Sequence, residues 1–181
     1  MGLAKTHIMF TYEDLKSWEP DNYRHEIIEG EHFMSPSPSI YHQEIIRKLT
    51  IQLSRYVEKK SLGRIFVSPV DVVFHETDAC VPDLVFVSNE NAAIIKEENI
   101  QGAPDLLIEI LSPSSKKRDR ELKYKRYAYY GVKEYWIVDP ENQLVEIYDL
   151  TANELLKVVP KNQKLSTPIF MGLNLELKTI F

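Results

Sequence analysis

Gly102-Ala-Pro-Asp-Leu-Leu-Ile-Glu-Ile-Leu-Ser-Pro-Ser114 decides the fold. Within it, Asp105 to Leu111 predicts a strand with apolar side chains on both faces, the pattern of a strand at the centre of a covered sheet. Ser112, Pro113 and Ser114 break it. A helix is expected from about Ser115 to Tyr130, with Gly131 as its C-cap. Upstream, Arg64–Pro69, Asp71–Phe74 and Pro82–Val87 read as strands. Before them, Tyr41 to Lys59 shows an apolar stripe of Ile45, Ile46, Leu49, Leu53, Tyr56 and Val57 at helical spacing. Tyr23 to Phe33 reads as extended with a turn at Gly30, and Thr11 with Asp14 as a capping box opening a short helix. Downstream, Glu134–Val138 and Leu144–Asp149 read as strands joined by a turn at Asp139–Asn142. The weaker strand signals of Glu154–Phe181 place the tail at a sheet edge. The expectation is an α/β or α+β fold, a mixed β-sheet flanked by helices, in one domain over residues 1–181.

Composition narrows the function. The chain has 44% hydrophobic and 27% charged residues, the balance of a globular protein. Its single cysteine excludes a disulfide within the chain and a cysteine-built zinc site. Met1–Phe10 has Lys5 but no apolar core of signal-peptide length, and no run approaches the ~18 apolar residues of a membrane span. A net charge of −5 argues against coating nucleic acid by bulk charge. The five histidines, among them His7, His25, His32 and His75, show no metal-ligand spacing. His42 is expected to face solvent. No P-loop, GxGxxG or GxSxG occurs.

Two signals remain. The first is acidic side chains in segments that want to be buried. Alternation puts Glu109 on the face of Leu107 and Leu111. A carboxylate there is costly without a partner, and either a salt bridge or an exposed strand end accounts for one such residue. Asp83 opens the apolar strand Leu84–Val87, where a turn role is the plain alternative. Two carboxylates at neighbouring strand ends repel each other, and a divalent cation with oxygen ligands relieves that repulsion. Glu26 is a third candidate, with a solvent-facing charge as its alternative. The second signal is a basic helix. Lys116, Lys117, Arg118, Arg120, Lys123, Lys125 and Arg126 are seven basic residues within eleven, against two acidic ones. One reading is a solvated helix. The other is a phosphate-tracking surface beside an acidic pocket, with one lysine turned inward. Lys123 fits that role because Asp119 and Tyr127 share its helix face; Lys125 is the reserve. Gln43 continues the helix stripe towards its N-terminus and either reaches a site or meets solvent.

Glu26-Ile-Ile-Glu-Gly30, Met34-Ser-Pro-Ser-Pro38, His42-Gln43, Val81-Pro-Asp-Leu-Val-Phe-Val87, the run from Gly102 to Ser114, Arg118-Asp-Arg120 and Tyr135-Trp-Ile-Val-Asp-Pro140 form one ordered set. Together they resemble the restriction endonuclease-like family abundant in cyanobacteria, within the PD-(D/E)XK nuclease superfamily. The resemblance spans about Tyr12 to Leu150. It implies a restriction endonuclease-like core and a Mg²⁺- or Mn²⁺-dependent site that hydrolyses DNA phosphodiesters. In that reading Asp83 and Glu109 bind the metal with the Ile110 carbonyl, and Lys123 orients water or offsets charge. Leu111 stands where the family-type lysine belongs, so the lysine has moved to the following helix. Glu26 matches an early acidic residue and Gln43 a helix glutamine of the site; Asp119 and Tyr127 support Lys123. Lys116, Lys117, Arg118, Arg120, Lys125 and Arg126 hold the DNA backbone. A bacterial cytoplasmic protein without a membrane role, and a homodimer suited to cutting two strands, complete the expectation. The rivals are a DNA-binding or protein-interaction module without cleavage, and a small-molecule hydrolase using the same pocket.

Overall fold

The computed structural model describes residues 8–181. His7 and most of the segment read for a leader lie outside the described residues. In chain order, helix α1 (Tyr12–Ser17) precedes the hairpin β1 (Arg24–Ile28) and β2 (Glu31–Ser35), then helix α2 (Ile40–Lys60). Strands β3 (Gly63–Val67), β4 (Val72–His75), β5 (Asp78–Cys80), β6 (Leu84–Ser88), β7 (Ile100–Gln101) and β8 (Leu106–Ile110) follow. A π-helical segment, Arg118–Lys123, runs directly into α3 (Tyr124–Tyr130). Strands β9 (Glu134–Asp139), β10 (Leu144–Asp149), β11 (Glu154–Pro160), β12 (Lys164–Leu165) and β13 (Leu175–Glu176) complete the chain.

A six-stranded mixed sheet of order β11-β10-β9-β8-β6-β3 is the centre of the molecule. Strands β8 and β9 are parallel in it, and β6 pairs antiparallel with β8. As the two-sided apolar pattern requires, β8 is internal and buried along its whole length. One face packs on the α2 stripe and the tail, through Ile45, Leu49 and Leu53 against Leu84, Ile108 and Trp136. The other face carries Leu107, Leu111, Tyr135 and Ile137, and meets α3 and a second, five-stranded sheet of order β2-β1-β5-β4-β7. Strand β11 forms the expected edge.

Local signals account for the elements. Thr11 and Asp14 form the capping box of α1. Ser39 caps α2 by accepting from the His42 N–H. Gly131 ends α3 at φ +86°, a left-handed position that glycine adopts without strain. The three-residue β5 has no counterpart in the sequence reading. Among the described residues, no helix is long and apolar enough to cross a membrane.

Candidate active site

The chain leaves β5 in one sheet and enters β6 in the other through Val81-Pro82-Asp83. Leu84 stands opposite Ile108 in the antiparallel β6–β8 register, so Asp83 directly precedes the paired stretch of β6 and Glu109 directly follows that of β8. The Asp83 carboxylate reaches the next residue of that strand, accepting from the Ile110 N–H at 2.8 Å through Oδ2. Its Oδ1 accepts from Arg24 Nη1 at 3.0 Å. His42 Nε2 donates to the Ile110 carbonyl at 2.9 Å and stands 3.3 Å from Asp83 Oδ2.

Glu109 faces the space between the central sheet and the π-helical segment. Its Oε1 accepts from Lys123 Nζ and from the Tyr127 hydroxyl, each at 2.8 Å. Lys123 is fully buried, and its Nζ also lies 2.6 Å from Glu26 Oε1 and 3.5 Å from Asp119 Oδ1. Glu26 Oε1 further accepts from the Val81 N–H at 2.9 Å. The hairpin supplies Glu26: Arg24, Glu26 and Ile28 alternate onto one face of β1. The π-helical stretch supplies Lys123. Its bonds skip five residues rather than four, which brings side chains four apart nearly into line. Asp119, Lys123 and, in α3, Tyr127 consequently enter the interior together.

The electrostatics follow from burial and unequal pairing. Burial pushes the Glu109 carboxyl up, and Asp119, Asp83 and Glu26 add to it; Lys123 opposes them, and the result is about 8. Burial also raises Asp119. Burial works against the Lys123 ammonium, but Glu109, Glu26 and Asp119 outweigh it and hold its pKa well above the usual lysine value. Burial likewise works against the Asp83 carboxylate, but His42, Arg24 and the Ile110 N–H outweigh it and hold its pKa low. Glu26 is held low by Lys123 and Arg118 against its own burial.

Several expectations are corrected. His42, expected in solvent, is buried, whereas Gln43 is exposed and lines the cavity that reaches Asp83. Residues 42, 45, 46, 49, 53 and 57 define the buried stripe of α2, and 43 falls outside it. The basic helix is not a free phosphate-tracking face. Arg118 is buried, 2.7 Å from Ser35 Oγ and 3.4 Å from Glu26 Oε2. Arg120 pairs with Glu146 and Asp139. Arg126 pairs with Asp78 and Glu29. Lys116 sits 3.3 Å from Glu141, while Lys117 and Lys125 are exposed. Lys125 therefore does not enter the interior. Arg24 and His42 were not selected from the sequence, although each had a signal. Arg24 precedes Glu26 by one strand period, and His42 precedes Ile46 by one helix turn.

The donors match an oxygen-preferring cation in kind: the Asp83 and Glu109 carboxylates and the Ile110 carbonyl, at the adjoining ends of β6 and β8, are all oxygen. Among the described residues no three side chains of the His, Cys, Asp and Glu kind form a metal-holding group. A protein share of two carboxylates and a carbonyl suits Mg²⁺, which keeps several waters. A cavity of about 670 Å³, lined by Arg24, Ser35, His42, Ser112 and Lys116 among others, opens beside Leu111. A second, of about 530 Å³, reaches Asp83 itself.

A family model named Uma2 and described as "Putative restriction endonuclease" matches residues 11–178. A crystal structure of a protein described as a putative nuclease belonging to DUF820, from Anabaena variabilis, has the same fold. Its TM-score is 0.80 at 22% identity, covering 95% of this chain and 97% of that one. No curated protein sequence matches the chain.

Proposed function

The chain belongs to the Uma2 family of restriction endonuclease-like proteins, and from that premise we propose that it is a metal-dependent endonuclease acting on DNA phosphodiester bonds. The observation that supports it is the placement of Asp83 at the start of β6 and of Glu109 on the adjoining β8, with Lys123 buried against Glu109. Asp83, Glu109 and the Ile110 carbonyl would hold Mg²⁺ or Mn²⁺. When bound, such an ion polarises the scissile phosphate and acidifies a coordinated water. Lys123 keeps a fixed positive charge beside Glu109, and the Tyr127 hydroxyl on the same oxygen fixes that carboxylate's orientation. Glu26 and Asp119 hold the ammonium in place from the other side. The nucleic acid would approach along the two cavities, where Arg24 and Lys116 supply positive charge, rather than along the outer face of the helix. Contacts of this kind position the backbone without reading sequence.

The test is a plasmid-nicking assay with Mg²⁺ or Mn²⁺ and with chelator. Nicking is expected only with the metal, and is lost in Asp83→Ala and Glu109→Ala proteins of native-like circular dichroism. Full activity of either variant overturns the site. A second reading is favoured by the engagement of both Asp83 oxygens: a module that binds DNA and does not cut it. Metal-independent, salt-sensitive binding with intact DNA would select that reading.

A further inference from the structure

Asp83 is almost completely buried, and one of its oxygens is held by a cation the protein itself supplies. Arg24 reaches it through Nη1 alone, which also donates to the Val81 carbonyl at 3.2 Å. Among the described residues, Nε and Nη2 of Arg24 make no hydrogen bond. Arg24 lines both cavities, and its side chain is 24% exposed, against 1% for Lys123. The two cations of the site therefore differ in kind. Lys123 is enclosed by three carboxylates. Arg24 is tethered by one nitrogen at the cavity floor, with its other donors unspent.

We propose that Arg24 is a displaceable counter-ion: it neutralises Asp83 in the metal-free protein, yields that carboxylate to a divalent cation, and then binds a phosphate of the nucleic acid strand. The inference rests on the metal-dependent reading above. A guanidinium and a divalent ion on one carboxylate repel each other, so cation binding favours release of the group that can move. Nε and Nη2 form the edge with which a guanidinium holds a phosphate in two parallel bonds. A released Arg24 needs only side-chain rotation, because β1 holds its backbone in the sheet.

The experiment is calorimetric titration of the full chain with Mn²⁺ in the absence of DNA, using wild type, Arg24→Met, Arg24→Lys and Asp83→Asn. Arg24→Met should bind Mn²⁺ at least about tenfold more tightly than wild type, since one competing charge a few Å away is worth from about fivefold in water to ~10³-fold near a protein surface. Arg24→Lys keeps the charge and should stay close to wild type. It also tests the idea if the methionine variant fails to fold. With Ca²⁺ present, Arg24→Met should bind a DNA oligonucleotide more weakly than wild type. Equal or weaker Mn²⁺ binding by Arg24→Met, or tighter binding by Arg24→Lys, overturns the counter-ion role. Unchanged DNA affinity overturns the phosphate role. Mn²⁺ binding that is absent, or that persists in Asp83→Asn, overturns the metal-dependent reading itself.

Discussion

Replacing Lys123 by methionine keeps the length and apolar stem of the side chain and removes one buried charge. The ammonium lies 2.6 Å from Glu26, 2.8 Å from Glu109 and 3.5 Å from Asp119. At an effective dielectric of ~20 these separations correspond to gross attractions of about 6, 6 and 5 kcal/mol. Most of that is cancelled by the cost of desolvating the four groups. What the variant loses is set instead by the carboxylates it strands, because breaking a buried ion pair from one side costs ~3–5 kcal/mol. Urea unfolding followed by the fluorescence of the buried Trp136 measures it. Lys125→Met, on the exposed side of the same helix, should change stability by less than about 0.5 kcal/mol. Adding Glu26→Gln to Lys123→Met should restore part of the loss, since the two act on one charge cluster. A loss below about 1 kcal/mol for Lys123→Met, equal to that of Lys125→Met, would refute the account of a buried cation balancing buried carboxylates.

Three further outcomes follow from other parts of the molecule. Thr167→Val removes a hydroxyl donor from the buried Glu134, whose Oε1 also accepts from Trp136 Nε1 at 2.6 Å, and should cost about 1–2 kcal/mol in the same assay. Asp105 is held low by Lys133 and the Ser88 N–H against its burial. A depressed carboxylate stabilises above its unfolded pKa and loses that contribution as pH falls through its folded value. Asp105→Asn should therefore be less stable than wild type at neutral pH, with the deficit shrinking below about pH 4, as urea midpoints across pH will show. Gly63→Ala would place a Cβ 2.1 Å from the Val87 carbonyl oxygen at φ +155°, and should lower the thermal midpoint by several degrees through displacement of β3 from β6.

The sequence made the strands and their faces legible because alternation depends only on the local chain. Glu109 stands on the face of Leu107 and Leu111, as the two-residue period requires. The inward turn of Lys123 was legible for a related reason: Asp119 and Tyr127 lie one turn before and after it. What spacing does not reveal is which charges cross between elements. Arg118, Arg120 and Arg126 look like a continuous basic surface in the sequence. Their partners are Glu26, Glu146 and Asp78, on strands far away in the chain. His42 and Gln43 are neighbours on α2, and only a shift of stripe by one residue separates the buried one from the exposed one. Strand β5 was invisible because three residues give no period.

The carboxyls at the β6–β8 ends outnumber the cations by one, and that surplus connects the fold to the proposed chemistry. Glu26, Asp83, Glu109 and Asp119 are buried carboxylates; Lys123 and Arg118 are the buried cations near them, with Arg24 at the cavity edge. A cluster assembled only for stability would gain from an apolar replacement, since buried ion pairs rarely repay their desolvation. Keeping one more carboxyl than cation inside the protein, with burial holding Glu109 up at about 8, makes physical sense where a cation arrives from solution. The acidic composition of the chain bears on the same site, since a net charge of −5 repels a polyanion at long range. Screening confines that repulsion to roughly 8 Å at physiological ionic strength. Inside that distance the balance at the cavity floor is set by Arg24, Lys123 and any bound cation, so an acidic protein and a polyanionic substrate are compatible where the contact is local.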